Sequence, residues 1–134
     1  MLSIGFGVLA LIHIYWAAGG TVWTSYNIPT VNGVRVFSPS AAMTLLVAFA
    51  LIIAAAIAAG SVGLLGRLIP SVVYRVLMFL VGLAFIIRAI GDFKLFGFFK
   101  PANSSDFAFY DTFMYSPLCL LIGAAAFLVA IRRR

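Results

Sequence analysis

The sequence predicts an all-α membrane protein, an antiparallel four-transmembrane-helix bundle with an aromatic outer loop between helices 3 and 4. Hydrophobic side chains make up 65% of the 134 residues and charged side chains only 9%. A soluble domain is usually about half apolar and about a quarter charged. The chain also contains four apolar segments, each close to or above the roughly 20 residues that cross a bilayer as a helix. We therefore expect a single transmembrane domain over residues 1–134.

The first apolar segment has no charged side chain before Arg35 and no basic start that would mark a cleavable signal peptide. We interpret it as a permanent helix 1 at about residues 2–25. Its end stays open within 18–25, because the "GG" pair in this stretch can loosen the last turns. In a continuous helix His13 would lie near the membrane midplane, and in the shorter one it would lie closer to the outer surface.

Helices 2, 3 and 4 are predicted at about residues 41–66, 71–91 and 116–131. The "SPSAAM" stretch offers a serine cap for helix 2, Pro70 precedes helix 3, and the "SP" dipeptide at 116 and 117 is typical of a helix start. The alanine-rich centre of helix 2, "AAAIAAGSVG", is typical of close packing between membrane helices.

Basic residues predict the orientation. Four spans place both termini and the short loop between helices 2 and 3 on one face, with five arginines, namely Arg67, Arg75, Arg132, Arg133 and Arg134. The opposite face has three basic residues, Arg35, Lys94 and Lys100. By the positive-inside rule both termini should be cytoplasmic. The terminal arginines then contact lipid headgroups, so no nucleic-acid partner is expected.

His13 is the single histidine in the sequence, and it lies inside the predicted helix 1. On a helical projection it shares a face with Trp16, Gly20 and Trp23. An ionisable group inside a membrane span suggests a ligand, proton or substrate role. The alternative is a packing residue whose ring bonds a hydroxyl or carbonyl group. Both interpretations stay open.

Arg88 lies one helical turn inside the membrane from Asp92, and the two can pair because they are four residues apart. An arginine at this depth needs an acid or backbone carbonyls, and Asp92 and Asp111 are the available acids. The ion pair either pins the outer loop or lets Arg88 hold an anionic headgroup or substrate.

The longest non-helical part is predicted at residues 92–114, with the aromatic stretches "DFKLFGFFK" and "FAFYDTFMY", the second of which contains Tyr110. A loop this aromatic should lie in the membrane interface or fold over the bundle as a lid. The two stretches flank "PANSSD", which we expect to form a turn. We expect no cofactor and no metal, because no HxxxH, ExxH or CxxC spacing is present.

Three stretches carry a resemblance: "HIYWAAGG", "RAIGDFKLFGFFK" and "FAFYDTFMYSPLCLLIG". Together they resemble a family of small bacterial four-helix membrane proteins that is defined as a domain of unknown function. The resemblance covers nearly the whole chain. It implies a bacterial plasma (inner) membrane protein and no particular activity.

The first functional hypothesis is a polar pocket near the outer face that binds or processes a small amphipathic or lipid-like ligand. Catalysis is an open question. Ligand-binding candidates are His13, Trp16, Arg88, Asp92, Tyr110 and Asp111, and His13, Asp92 and Asp111 are also the candidates for acid–base chemistry. A second hypothesis is a proton-coupled exporter or channel subunit that acts as a homo-oligomer. A third is an accessory protein that engages a partner through the outer loop.

Overall fold

The computed structural model describes residues 1–31, 34–65, 69–101 and 105–132, which are mostly helical. Arg67, Arg133 and Arg134, which the orientation prediction uses, lie outside the described residues, as do residues 102–104 of the predicted "PANSSD" turn. The elements are α1 (Leu2–Ala17), α2 (Thr24–Asn27), β1 (Thr30–Val31), β2 (Val34–Arg35), α3 (Ala41–Ser61), α4 (Ser71–Ile90), α5 (Asp106–Tyr110), a π-helical turn (Asp111–Tyr115) and α6 (Ser116–Ile131). The two short strands pair antiparallel.

Among the described residues, three helical segments are long and apolar enough to cross a membrane. They are α3 with 21 residues, α4 with 20, and the continuous helix Asp106–Ile131 with 26. Only 28% of the most apolar window of α3, and 22% of the windows in the other two, is buried inside the protein. Most apolar side chains of these helices therefore point outward, where a bilayer would solvate them. This arrangement indicates a membrane protein.

The first helix is shorter than the predicted span of residues 2–25. It contains 16 residues and ends at Ala17, which corresponds to a length of about 24 Å. Gly19 has a φ of +93°, in the left-handed region that an L residue in a helix does not adopt. The helix ends close to the shorter of the two alternatives, so the stretch around Gly20 and Trp23 does not continue the face on which His13 lies.

The helix α6 has the predicted bounds, but it continues a helical stretch that starts at Asp106, so residues 92–114 are not one non-helical loop. The hydroxyl of Ser105 accepts a hydrogen bond from the backbone N–H of Ala108 and caps a helix that starts at Asp106. Pro117 lies in the first turn of α6, but α6 directly follows the π-helical turn, so this proline is inside a longer helical stretch. A proline lacks the N–H of a regular helix, and a π-helical turn is a common place for such an irregularity.

The other two helices start where the sequence indicates. The side chain of Ser40 accepts from the N–H of Met43 and caps α3, and α4 begins directly after Pro70. The helix α3 ends at Ser61 rather than near residue 66, because Gly63 turns the chain with a φ of +78°.

Two pairs of helices meet in one core. The helix α1 packs mainly on α3, α4 packs mainly on α6, and α3 also contacts α4. The shared core contains one large ring and several small side chains: Phe6, Ala10, Leu51, Ala54, Ala58, Met78, Ala126 and Ala130. Small residues let membrane helices approach closely, which increases van der Waals contact between them.

The contacts between α4 and α6 define their relative direction. Near one end the Nε atom of Arg75 donates to the carbonyl of Ala130 at 2.9 Å. Further along, a Cβ atom on Gly82 would lie 3.1 Å from the carbonyl oxygen of Gly123. Residue numbers rise along α4 as they fall along α6, so these two helices run in opposite directions.

Candidate functional site

A buried carboxylate is the centre of the site. Asp111 is 0% exposed and begins the π-helical turn. Its Oδ1 atom accepts from Nη2 of Arg88 at 2.7 Å, and its Oδ2 atom accepts from Nζ of Lys100 at 2.9 Å and from the N–H of Gly97 at 2.6 Å. We call the three side chains of Arg88, Lys100 and Asp111 the Asp111 cluster.

Lys100 has all of its donor capacity in use. Besides Asp111, its Nζ atom donates to the carbonyl of Gly97 at 2.9 Å and to the hydroxyl of Thr112 at 2.7 Å. An ammonium group has three donors, and these are its three acceptors. Its side chain is only 6% exposed. Lys100 therefore joins the segment 91–101 to the helix that contains Asp111, and it has no donor left for another group.

Arg88 differs from Lys100 because part of its donor capacity is unused. Its guanidinium carbon lies 4.7 Å from the centre of the Phe96 ring, within the range of a cation–π contact. Nη2 pairs with Asp111, whereas Nη1 is buried and has no hydrogen-bond partner among the described residues. The side chain as a whole is 33% exposed. Nη1 thus has hydrogen-bonding capacity that no acceptor among the described residues uses.

The predicted pairing of Arg88 with one of two acids resolves in favour of Asp111. The Oδ1 atom of Asp92 instead accepts from the backbone N–H groups of Lys94, Leu95 and Phe96, at distances between 2.7 and 3.1 Å. Slight burial acts to raise the pKa of Asp92, but the three N–H groups favour the charged form and hold the pKa below its ordinary value. Asp92 therefore organises its own loop rather than Arg88.

Two glycines allow the segment 91–101 to fold back on the end of α4. Gly91 and Gly97 have φ values of +92° and +91°, and a Cβ atom on Gly97 would lie 2.3 Å from the Cα of Gly91. The N–H of Phe98 also donates to the carbonyl of Ala89 at 2.9 Å. This close approach of backbone to backbone places the N–H of Gly97 against Asp111.

His13 and Trp16 interact with each other and with their own segment. The Nδ1 atom of His13 lies 2.8 Å from the carbonyl oxygen of Leu9, and the rings of His13 and Trp16 meet edge to face at 5.2 Å. A carbonyl can only accept, so Nδ1 donates in this bond. The Nε1 atom of Trp16 donates to the carbonyl of Val22. No hydrogen bond within the described ranges joins either ring to the Asp111 cluster.

Tyr110 lies next to the Asp111 cluster in sequence and contacts the short helix α2. Its ring centre is 5.0 Å from that of Tyr26. The hydroxyl of Tyr115 forms a second link, to the side-chain oxygen of Asn27. The two tyrosines thus connect the segment after α1 with the helix that contains Asp111.

Three buried side-chain polar atoms have no hydrogen-bond partner among the described residues, namely Nη1 of Arg88, Nδ2 of Asn27 and the hydroxyl of Ser116. Of these residues, Ser116 is 0% exposed. It directly follows the π-helical turn. It lies in sequence between Asp111, which pairs with Arg88 of α4, and Gly123, which contacts Gly82 of α4.

The sequence interpretation missed Lys100, Gly97 and Thr112. Lys100 was treated only as one of the basic residues that set the orientation. A buried carboxylate such as Asp111 can accept several hydrogen bonds. The two lysines in the adjacent aromatic segment were therefore a usable signal for a second basic partner. The sequence does not indicate which of Lys94 and Lys100 approaches Asp111, because this depends on how the glycines turn the chain.

The chain matches one family model over residues 6–126, most of its length; the model is described as a protein of unknown function, DUF3995. The chain belongs to the DUF3995 family. The predicted membership in an uncharacterised family is thereby confirmed. No curated protein and no solved structure matches this DUF3995 chain. The matched range includes most of α1 and the whole Asp111 cluster, so the candidate site lies inside the region that defines the family.

Proposed function

We propose that this protein binds a small amphipathic or lipid-like molecule whose negatively charged head group contacts Arg88. The observation that supports the proposal is the buried Nη1 atom of Arg88, which has no partner among the described residues. A buried donor without an acceptor is unfavourable by roughly 1–3 kcal/mol, more when the group is charged. An anionic oxygen of a ligand would satisfy it.

The charge of the Asp111 cluster supports the same proposal. Arg88 and Lys100 contribute two positive charges and Asp111 one negative charge, which leaves one positive charge in excess. Asp111 and Lys100 are almost fully buried, at 0% and 6% side-chain exposure. Arg88 is 33% exposed, so water screens the excess charge in part. The burial of the other two side chains limits this screening, and the cluster therefore attracts an anion more strongly than a fully exposed charge would.

The membrane arrangement that accompanies the proposal is an antiparallel bundle of four spans in a bacterial plasma membrane with both termini cytoplasmic. Because α1 is shorter than the roughly 30 Å apolar core of a bilayer, the membrane thins locally there or the residues after Ala17 contribute to the span. In this arrangement the Asp111 cluster lies at the outer end of the bundle, where a ligand reaches it from lipid or from the outer surface.

The candidate residues take revised roles. Arg88 holds the head group, and Asp111 orients Arg88 through its ion pair. Asp92 shapes the loop, and Tyr110 with its neighbouring aromatic residues contacts the apolar part of the ligand. The proposal includes no chemical step for His13.

The test is native mass spectrometry of the protein extracted gently from its own membrane. We compare the wild type with Arg88→Gln, which removes the charge and Nη1, and with Lys94→Gln, which removes a charge from an exposed residue of the same segment. A bound small molecule should be retained by the wild type and by Lys94→Gln and lost from Arg88→Gln. Retention by Arg88→Gln, or only bulk phospholipid on every form, would overturn the proposal.

A His13→Ala variant in the same experiment tests whether His13 belongs to the binding site. Loss of the bound molecule from this variant would extend the site to α1. Retention would assign His13 to packing against Trp16, the ring that it contacts at 5.2 Å. Thermal unfolding of each purified variant shows whether a loss of ligand reflects the site or a loss of the fold.

A further inference from the structure

We infer that the site selects a head group with a single negative charge, an oxyanion such as a carboxylate or a phosphodiester, held by Nη1 of Arg88 and the hydroxyl of Ser116. This inference rests on the proposed function and specifies the ligand class of the same site. It combines two independent observations, the charge of the Asp111 cluster and the buried hydroxyl of Ser116, which has no partner among the described residues.

Charge balance excludes the other head-group classes. The cluster has one positive charge in excess, so one negative charge on the ligand brings the buried site to neutrality. A phosphomonoester with two negative charges would leave one uncompensated negative charge, and a neutral head group would leave the positive charge uncompensated. Uncompensated charge in a poorly hydrated site is costly, and the cost acts against both alternatives.

The position of Ser116 along the α4–α6 interface is consistent with a contact to the same head group that Arg88 binds. The antiparallel contacts join Arg88 with Asp111 and Gly82 with Gly123. Ser116 lies between Asp111 and Gly123 in sequence, so its level along the interface is between these two contacts. Its hydroxyl is buried and has no partner among the described residues. Arg88 and Ser116 therefore bring two unused donors to the same end of the interface between α4 and α6.

Two unused donors at the same end of the α4–α6 interface match the chemistry of an oxyanion. A hydroxyl group donates one hydrogen bond, and the free side of a guanidinium donates another. A carboxylate or a phosphodiester has two negatively charged or partly charged oxygens that accept both. Hydrogen bonds to charged groups contribute about 1.5–3 kcal/mol each, so removing one should weaken binding on the order of 10-fold or more.

The first experiment uses probes with the same tail and different charge. The protein in nanodiscs of zwitterionic phosphatidylcholine is titrated with dodecanoate, dodecanol and dodecyl phosphate, and occupancy is read by native mass spectrometry. At about pH 8 dodecyl phosphate carries two charges, because its second pKa is about 6. Dodecanoate should bind on the order of 10-fold more tightly than the other two probes. Equal or tighter binding of dodecanol or dodecyl phosphate would overturn the inference.

The source of the oxyanion is decided by competition. Phosphatidylglycerol, a lipid with one phosphodiester charge, is added to the nanodiscs that contain bound dodecanoate. Displacement of dodecanoate identifies a membrane phosphodiester as the natural class, and retention identifies a free carboxylate. Either result supports a single charge, provided that the preference for dodecanoate over dodecyl phosphate holds.

Ser116→Ala is the second variant, because removing a buried hydroxyl without a partner should leave the fold intact. It should weaken dodecanoate on the order of 10-fold and leave dodecanol unchanged. Lys100→Met, which makes the cluster neutral, should abolish the preference for dodecanoate over dodecanol, with Lys94→Met as control. Unchanged dodecanoate affinity in Ser116→Ala would overturn the inference, because the inference assigns one of the two hydrogen bonds to this hydroxyl. If charge selection fails but the native ligand is still lost from Arg88→Gln, the inference falls and the proposed function stands.

Discussion

Arg88 and Asp111 form an ion pair with a distance of 2.7 Å between Nη2 and Oδ1, although they are separated by 23 positions in the sequence. The pair links α4 to the π-helical turn. Lys100 forms a second ion pair with the other carboxylate oxygen of Asp111. Three segments of the chain thus depend on one fully buried side chain.

Removal of the charge on Asp111 should destabilise the protein. Asp111→Asn leaves Lys100 and Arg88 without a counter-charge, and breaking a buried ion pair in this way typically lowers stability by about 3–5 kcal/mol. Because Arg88 is 33% exposed, we expect the lower part of this range. Thermal or denaturant unfolding in detergent measures the change. Asp106→Asn is the matched control at an exposed acid of the same helix, and an equal loss in both would contradict the assignment.

Gly97 should not tolerate a side chain. Gly97→Ala forces an L residue to a φ of +91° and places Cβ against Gly91, so the loop must open. A strained backbone of this kind is worth about 1–3 kcal/mol. Gly7→Ala is the control, since nothing lies within 4 Å of its Cβ position inside α1. Unfolding should show a loss for Gly97→Ala and no loss, or a gain of up to about 1 kcal/mol, for Gly7→Ala.

The loop that Asp92 organises should lose order in acid. The folded-state pKa of Asp92 lies below its ordinary value, so the carboxylate stabilises the loop fully above the ordinary pKa. The contribution declines as the pH falls through the lowered value, because protonation weakens the bonds from Lys94, Leu95 and Phe96. Amide chemical shifts of these three residues against pH report the transition. The transition should be absent in Asp92→Ala, and its persistence there would assign it to another group.

The proposed membrane orientation is tested by cysteine labelling. In a Cys119→Ser background, Lys94→Cys should react with a membrane-impermeant maleimide on intact cells, and Arg132→Cys should react only after permeabilisation. Both native residues are exposed, so access through the protein does not limit the reaction. The reverse pattern would invert the bundle, and labelling of both from outside would refute four spans.

Hydropathy and charge along the chain were sufficient to predict a helical membrane protein, and the resemblance of three stretches predicted the uncharacterised family. A bilayer imposes a strong constraint, since long apolar segments must form helices to satisfy their backbone groups. Helix ends were predicted less accurately. Gly19 ended α1 early. Pro117 lies at the start of α6 but inside a longer helical stretch, because a proline is compatible both with a helix start and with an irregular turn within a helix.

The sequence by itself determined the apolar helices, the residues able to carry charge in or near them, and Arg88 and Asp111 as candidates for a buried pair. The tertiary structure decided which groups meet. It directed Asp92 to its own loop and brought Lys100 and the N–H of Gly97 to Asp111. It also left Arg88 and Ser116 with donors that no group in the described part of the chain accepts. Periodicity reports which residues share a helix face, whereas contacts between distant segments depend on how the glycine turns and helix packing direct the chain.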